Sequence, residues 1–406
     1  MAFQTGLSGL GAASRSLDVI GNNIANANTT GMKSSRAEFA DVVASSIGTG
    51  GGNNAGLGVA VETVSQAFTQ GNISITGNDM DIAVNGAGFL QLQMPDGTSA
   101  YTRAGNFKLD NLGNIVTNVG AKVMGFPTTI AGVATSTTAG PLTLPTGAPI
   151  AANQTTALTA EFNLDARAPI ASTVVPPTPR STYGTALTAY DSQGVALPVT
   201  LYFTKVTPTV PGTDQWAVYD SLAGAAPVVG NLVFDATGKL TSGSPMALTL
   251  TPAAPSIVPP FAVTADMSKA TQYGASFGVT DLTQDGYPPG SFVGMKIGEN
   301  GVITARYSNG QTQAAGMLAL ADFRNVQGLA PVGGNNWVET FASGQPLLGQ
   351  PGQGKFGGTR AGALEESNVD LTAELVNMMT AQRAYQANAQ TIKTQDQVLQ
   401  TLVNLR

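Results

Sequence analysis

The stretch NVDLTAELVNMMTAQRAYQANAQTIKTQDQVLQTLVN, residues 368–404, carries apolar side chains three and four residues apart along its whole length. The members of this seam, which is interrupted at Gln382 and Asp396, are Leu371, Leu375, Met378, Tyr385, Ala389, Ile392, Leu399 and Val403. Such spacing puts the side chains on one face of an α-helix. Ser367 to Asp370 has the form of a capping box, and the acidic residues around it suit the positive end of a helix dipole. The pattern predicts a helix from about 368 to 404.

A second seam of the same kind opens the chain. Its apolar members, with Ser14 and Gly21 in the two remaining seam positions, are Phe3, Leu7, Leu10, Leu17 and Ile24. The pattern ends at residues 26–31 (NANTTG), a cluster of turn formers. We therefore predict an N-terminal helix that pairs with the C-terminal helix as a coiled coil. On spacing alone, the two stripes fit a core within one chain and an assembly surface equally well.

The side of the C-terminal helix that faces away from the seam is almost uncharged. It presents amides and hydroxyls, among them Asn377, Thr380, Gln386 and Gln390, where a solvated helix usually presents Lys and Glu. A polar helix in water is the simpler explanation. The absence of charge on both terminal helices favours packing against other protein chains.

Between the helices, the sequence is rich in glycine and in short alternating strands. Residues 48–58 (GTGGGNNAGLG) predict a linker, with hinge positions at Gly50, Gly51, Gly52, Gly56 and Gly58. Residues 187–194 and 199–203 predict a hairpin, followed by a strand at 216–219. If the chain ends pair, the domains are nested. We predict a multidomain α+β fold with mainly β domains: 1–70 with 355–406 as the terminal helical domain, 71–145 with 285–354 as an inner β domain, and 146–284 as a continuous outer β insertion.

Composition narrows the function. Only 11% of the 406 residues are charged, against about a quarter in an ordinary soluble protein. A net charge of −6 without basic clusters argues against nucleic-acid binding. The chain has neither cysteine nor histidine. It therefore lacks the commonest general base, the commonest metal ligands, and the residues of Ser-His-Asp and Cys-His catalytic sites. The opening residues lack the features of a cleaved secretory signal, and no apolar run is long enough to span a membrane.

The few motifs that suggest a bound ligand fail on their context. Residues 352–359 (GQGKFGGT) lack the hydroxyl residue that a phosphate loop needs after its lysine. Asp79 and Asp81 lack the further oxygen ligands of a calcium loop. Glu365 and Glu366 are explained by the start of a helix. We therefore expect that the chain has no catalytic, metal or cofactor site and that it is not an enzyme.

Two long motifs lie near the chain ends: residues 7–10 (LSGL) with 17–33 (LDVIGNNIANANTTGMK), and residues 367–371 (SNVDL) with 378–388 (MMTAQRAYQAN). They resemble the opening and closing signatures of the bacterial flagellar rod and hook proteins. Residues 82–90 (IAVNGAGFL) and 101–107 (YTRAGNF) resemble segments common to hook and distal-rod members. The outer insertion, with its AYDSQG turn at 189–194, favours the hook branch.

The resemblance implies an extracellular tubular polymer of this chain that acts as a curved, flexible universal joint and transmits motor torque to the filament. It implies export by the flagellar type III apparatus without a cleaved signal, and assembly under a hook cap protein. The implied neighbours are the distal rod protein and a hook-filament junction protein. Two alternatives remain: a distal-rod protein of the same family, or a monomeric secreted β adhesin or carbohydrate-binding module.

Overall fold

The computed structural model describes residues 2–42, 58–147, 149–171, 183–222, 227–253 and 256–404. The chain is mainly β with one helix near each end. This confirms the prediction of two terminal helices with mainly β structure between them. The chain forms two compact units: unit 1 consists of 1–147, 294–306 and 312–406, and unit 2 of 148–293 and 307–311.

The two helices lie close to the predicted bounds. Helix α1 spans Ala2–Ala25 and ends in the turn cluster, where Gly31 has a φ of 70°. Helix α2 spans Leu371–Asn404. It begins later than predicted because Asp370 is the N-cap: its carboxylate accepts from the backbone N–H groups of Thr372 and Ala373 at 2.9 and 3.1 Å.

The strands are short. In chain order they are β1 (Ser35–Val42), β2 (Gly58–Gln66), β3 (Ile73–Ile75), β4 (Ile82–Asn85), β5 (Phe89–Gln93), β6 (Ser99–Thr102), β7 (Lys108–Leu109), β8 (Ile115–Val116), β9 (Lys122–Phe126), β10 (Gly140–Pro141), β11 (Ala157–Asp165), β12 (Gly184–Tyr190), β13 (Ala196–Val206), β14 (Asp214–Tyr219), β15 (Gly230–Phe234), β16 (Leu240–Ser242), β17 (Met246–Leu250), β18 (Phe261–Asp266), β19 (Thr271–Tyr273), β20 (Gly278–Gln284), β21 (Phe292–Ile297), β22 (Val302–Tyr307), β23 (Thr312–Leu318), β24 (Leu320–Asp322), β25 (Ala330–Gly333), β26 (Asn336–Val338), β27 (Leu347–Gly349), β28 (Gly358–Ala361) and β29 (Ala363–Glu365). A 3-10 helix covers Val326–Gly328.

Unit 1 is organised around one large sheet with the strand order β21-β22-β23-β9-β5-β6-β26-β25 and further strands at its sides. An aromatic cluster that includes Phe89, Tyr101, Phe323 and Trp337 packs on this sheet. Three antiparallel pairs lie outside it: β1 with β2, β4 with β28, and β3 with β29. The last two pairs fasten the segment before α2 to the early strands.

Unit 2 is a sandwich of two five-stranded sheets. One runs β12-β13-β14-β15-β16, and the other β17-β18-β11-β19 with β20 on β11. Alternate residues of β11 are buried, as expected for a strand with one face on a core. Phe162 of β11 meets Phe203 of β13 with ring centroids 4.6 Å apart. The core therefore lies between the two sheets.

The chain enters and leaves this sandwich side by side. Ile150 and Gly290 form an antiparallel bridge in which each backbone N–H donates to the other's carbonyl, at 2.8 and 3.3 Å. The predicted hairpin is also present: β12 pairs with β13, and Gly194 in its turn has a φ of 80°. The hairpin prediction is confirmed.

Candidate assembly surface

Helices α1 and α2 run antiparallel in contact with each other. A Cβ built on Gly6 would lie 3.2 Å from Ile392 Cγ1, and one on Gly9 would lie 2.9 Å from the Asn388 amide nitrogen. Toward the other end of α1, the Asn23 amide donates to Glu374 Oε1 at 3.1 Å. Residue numbers thus rise on one helix as they fall on the other.

Glycines of α1 approach α2 closely in this contact. Gly6, Ala13 and Ile20, seven residues apart on α1, are buried, and so is Ala381 on α2. Asn23 is also buried. It exchanges two hydrogen bonds with Ser35 at the start of β1, at 2.8 and 2.9 Å, besides its bond to α2. Its amide therefore joins α1, β1 and α2 at one point.

Large apolar side chains of both helices point to solvent instead. They are Phe3 and Leu7 on α1, and Leu371, Leu375, Val376, Met379, Tyr385, Val398 and Leu399 on α2. Leu7 and Leu375 each keep more than half of their surface exposed, at 54% and 52%. Repeated apolar groups along one surface mark a contact site for another molecule.

The predicted seam is thus divided between two environments. Leu10, Leu17, Ile24, Met378, Ala389 and Ile392 are half-buried, whereas Phe3, Leu7, Leu371, Leu375, Tyr385 and Leu399 are exposed. Val403 lies in α2, and its side chain is outside the described part of the structure. The exposed members keep between 38% and 54% of their surface in water.

Among the predicted hinge glycines, Gly58 is the one that the structure describes; Gly50, Gly51, Gly52 and Gly56 lie outside the described residues. Gly58 begins β2 with a φ of 122°, and a Cβ there would collide with Ser8 Oγ on α1. The Ser8 hydroxyl also accepts from the Val59 N–H at 3.3 Å. Glycine is required here because the strand crosses the helix without room for a side chain.

A groove of about 1150 Å³ lies between the helices and the β1–β2 hairpin. Its apolar lining includes Val19, Val64, Phe68, Leu329 and Ala384. The hairpin also exposes apolar side chains at Phe39, Val42 and Val61. The apolar surface of the helices therefore continues onto this hairpin.

Three buried charges join the base of the helix pair to the sheet strands. Glu365 at the end of β29 is completely buried and pairs with Lys33 at 2.5 Å and with Arg103 at 3.2 Å. The Lys33 ammonium also donates to the Thr69 carbonyl at 2.7 Å, and the Gly71 N–H donates to the Glu365 carboxylate at 3.0 Å. Arg103 donates to the Gly86 carbonyl at 2.8 Å and lies over the Phe89 ring.

This ionic cluster, Lys33 with Arg103 and Glu365, ties together three distant parts of the chain. Burial lowers the pKa of Lys33 despite its bond to Glu365, and the nearby Arg103 lowers that pKa further. Burial also lowers the pKa of Arg103, against the attraction of Glu365. Removal of the one carboxylate would leave two cations in a water-poor site, so Glu365 is indispensable to the cluster.

The sequence interpretation of Glu365 as a helix-start charge is wrong. The residue lies on β29, and Asp370 and Glu374 are the acids at the start of α2. No sequence pattern links positions 33, 103 and 365, so pattern reasoning could not find the cluster. Asp81 belongs to the acidic pair whose sequence context does not fit a calcium loop. Its carboxylate accepts from the Thr76 hydroxyl at 2.6 Å and from the Asn78 amide at 3.3 Å.

The described residues contain no candidate metal cluster and no candidate membrane-spanning helix. No three His, Cys, Asp or Glu side chains of this part of the chain come together as metal ligands. Within the same residues, neither helix combines the length and apolar character that a membrane span needs.

Four known protein families match separate parts of the chain. The family described as flagella basal body rod protein matches residues 3–33, and the flagellar basal body rod FlgEFG protein C-terminal family matches 360–405. The flagellar hook protein FlgE/F/G D1 domain matches 83–158, and the flagellar basal body protein FlaE D2 domain matches 163–287.

Full-length relatives decide between the branches of this family. The flagellar hook protein FlgE of Salmonella typhimurium (strain LT2) is 42% identical over 420 residues, which cover 100% of both chains. The chain belongs to the flagellar hook protein family. The Escherichia coli K12 hook protein is 40% identical over all of both chains, and that of Treponema pallidum is 32% identical over 99% of this chain and 98% of its own.

A solved structure supports the fold. The crystal structure of Helicobacter pylori flagellar hook protein FlgE2 matches with a TM-score of 0.55 at 17% identity, covering 72% of this chain and all of that one. The full-length hook relatives confirm the prediction of the hook branch. The chain is a structural subunit of the bacterial flagellar hook, a part of the flagellum.

Proposed function

We propose that this chain polymerises with copies of itself into a curved, flexible tube, the hook, which transmits motor torque from the rod to the filament. The observation that carries the proposal is the division of the terminal helices. Glycines of α1 approach α2 closely within the chain, while Leu7, Leu375 and Met379 keep about half of their surface in water. Burial of such side chains between copies would stabilise the polymer by about 25 cal/mol per Å² of apolar surface removed from water.

The finer architecture belongs to the same proposal. We infer that α1 and α2 form a coiled coil and that these pairs line the tube as its inner layer. The three nested domains, 1–70 with 355–406, 71–145 with 285–354, and 146–284, would then lie in order from the inner layer outward. Apolar helix contacts would hold the copies, and the sparsely charged β surfaces would slide as the tube bends.

We infer the neighbours of the polymer from the families that match the two terminal segments. The families that match 3–33 and 360–405 are named for basal body rod proteins, so hook and rod proteins have related terminal segments. Related segments would let hook subunits stack on the distal rod protein. We also propose a hook-filament junction protein at the far end, a hook cap protein during growth, and extracellular location after type III export without a cleaved signal. A structural role in such a tube needs no catalytic site and no cofactor.

Two truncations test the polymer. Removal of residues 1–30 or of 370–406 deletes one helix but keeps Lys33, Arg103 and Glu365, so we expect the ionic cluster and the β-sheets of both units to remain. Each truncated protein should keep the β-sheet circular dichroism of the full chain and form no tubes in polymer-promoting salt, as seen by electron microscopy and sedimentation.

The full-length chain under the same salt is the control and should give tubes. Normal tubes from either truncation would refute the proposal. A full-length chain that sediments as a monomer at every concentration would favour the monomeric adhesin instead.

A further inference from the structure

Phe341 stands out on the surface of unit 1. Its ring is fully exposed, at 104% of the reference surface, and it is the most exposed large hydrophobic side chain among the described residues. The residue lies in a turn between β26 and β27. The neighbouring aromatic residues Phe323 and Trp337 are buried in the core of unit 1, and Phe341 is not part of that cluster. Its ring therefore adds nothing to the packing of the described core.

Several hydrogen bonds fix the backbone of the turn that carries Phe341. The Thr340 hydroxyl donates to the Gly328 carbonyl at 2.5 Å, and the Ser343 hydroxyl donates to the Thr340 carbonyl at 2.9 Å. The Thr340 N–H donates back to the Ser343 hydroxyl at 2.9 Å, and the Asn325 amide donates to the Ala342 carbonyl at 3.2 Å. Ser343 is buried, and a Cβ on Gly328 would collide with its N–H.

This arrangement resembles a preorganised binding anchor. An aromatic side chain loses little rotamer freedom on binding, and a fixed backbone removes most of the remaining ordering cost. Aromatic residues of this kind dominate the energetics of protein interfaces. A scattered surface hydrophobe would need no explanation, but this one lies on a backbone fastened by four hydrogen bonds.

The position of the turn connects it to the proposed assembly surface. Gly328, which accepts from Thr340, lies between Gln327 and Leu329, and both of those residues line the groove between the helices and the β1–β2 hairpin. Exposed apolar side chains at Phe39, Val61 and Val64 continue this surface on the hairpin. Phe341 therefore stands beside a surface that is already apolar.

We propose that Phe341 is an interface anchor that inserts into an apolar recess of a second copy of this chain in the assembled polymer. This inference rests on the proposed polymerisation. A phenylalanine buries at most roughly 200 Å², against the about 800 Å² per partner of a stable complex. The ring alone is too small to hold a separate soluble partner. In a polymer, several contacts hold each copy at high effective concentration, and one such anchor then suffices to add affinity and register.

Assembly measurements test the anchor. Phe341→Ala should raise the critical concentration for polymerisation at least about fivefold, as expected for an aromatic hot spot, while the thermal unfolding of the monomer stays unchanged. Phe341→Trp should restore assembly, because it keeps a large aromatic group. As a matched control, Leu112→Ala also removes a highly exposed side chain of unit 1 and should leave the critical concentration unchanged.

A chemical measurement locates the ring. Because the chain contains no cysteine, Phe341→Cys introduces a single thiol. Maleimide should label it quickly in the monomer and at least about fivefold more slowly in copolymers diluted with wild-type chains, since a thiol at an anchor position is removed from solvent. A benzophenone amino acid at position 341 should cross-link to a second copy of the chain in the polymer.

The outcomes separate the two proposals. If wild-type chains polymerise while Phe341→Ala assembles equally well and the thiol stays open in the polymer, the anchor is overturned and the proposed function stands. If wild-type chains do not polymerise at all, both are overturned. Cross-links confined to one chain also contradict the anchor.

Discussion

The sandwich of unit 2 and the helix pair of unit 1 use apolar residues in opposite ways. In the sandwich, Phe162, Phe203 and Trp216 are almost completely buried between two sheets of the same chain. In the helix pair, small residues such as Ala13 and Ala381 are buried while Leu7 and Leu375 face solvent. The two sheets of the sandwich bury each other's apolar residues, whereas the helix pair leaves many of its larger apolar groups exposed to solvent.

The comparison is convenient to test because each unit has one tryptophan. The chain contains two in total: Trp216 lies in the core of unit 2, and Trp337 in the core of unit 1. Replacement of either one by phenylalanine leaves a single fluorescent reporter. The unfolding of each unit can then be followed in the background that removes the other unit's tryptophan.

The largest effect is expected in the sandwich core. Phe203→Ala removes a completely buried ring that contacts Phe162, and should lower the free energy of unfolding of unit 2 by about 3–5 kcal/mol. Denaturant unfolding monitored by Trp216 measures this change. The exposed Val195→Ala, in the same unit, should change it by less than about 0.5 kcal/mol. Similar losses from the two variants would show that the sandwich is not a closed core.

The next effect is expected at the ionic cluster. Glu365→Gln removes the carboxylate that neutralises Lys33 and Arg103, and should lower the free energy of unfolding of unit 1 by about 3 kcal/mol. Unfolding monitored by Trp337 measures it. Glu366→Gln is the matched control, because the next residue along the chain is exposed and should be nearly neutral. An equal response of both variants would contradict the structural role of Glu365.

A smaller effect is expected where the hairpin crosses α1. Gly58→Ala places a methyl group against Ser8 Oγ at a φ of 122°, and should lower the stability of unit 1 by about 1–2 kcal/mol. Gly11→Ala, on α1 with open space around it, should instead raise stability by up to about 1 kcal/mol. Chemical denaturation of both variants gives the sign. A neutral Gly58→Ala would indicate that β2 does not depend on this crossing.

The pH dependence of Lys33 provides a subtler test. Its pKa is lower in the folded chain than its ordinary value of 10.5 because the side chain is buried and lies near Arg103. Between those two pKa values the unfolded chain binds more protons, so stability rises with pH in this window. The unfolding free energy of the wild type minus that of Lys33→Met should therefore increase as the pH approaches 10.5 from below. A difference independent of pH would exclude this titration.

The smallest effect on folding is expected on the outer face of α2. Leu375→Gln keeps helix propensity and removes an exposed apolar group, so it should change the free energy of unfolding by less than about 0.5 kcal/mol. Polymer formation should nevertheless weaken, as measured by sedimentation. Gln386→Ala, also exposed on α2, removes no apolar group and should alter neither property. Normal assembly of Leu375→Gln would mean that this face is not an assembly surface.

The sequence predicted the features that depend on neighbouring residues. Both helices and the hairpin of β12 with β13 follow from local spacing and turn residues. The pattern places the start of α2 near 368, whereas Asp370 is the N-cap and the Asn368 side chain accepts from the Ser34 N–H at 2.7 Å. That partner is remote in sequence, so no local pattern could reveal the bond.

The division of the seam was also beyond sequence reasoning. Apolar spacing shows that Leu375 and Met378 lie near one face of a helix, and does not show whether a neighbour belongs to the same chain. The structure brings α1 and α2 together at Gly6 and Gly9, which are not members of the apolar seam. Close approach of two helices favours small side chains, and several larger ones remain exposed to solvent.

The bridge between Ile150 and Gly290 has a consequence for how such a chain can vary. The two positions form an isolated antiparallel bridge with two hydrogen bonds, a separation that a tight turn of a few residues spans. Everything between them can therefore be lengthened, shortened or exchanged without pulling the flanking strands apart. An engineered chain with a short turn in place of residues 151–289 would be a compact core version of the subunit, and the same junction offers a site for grafting a foreign domain.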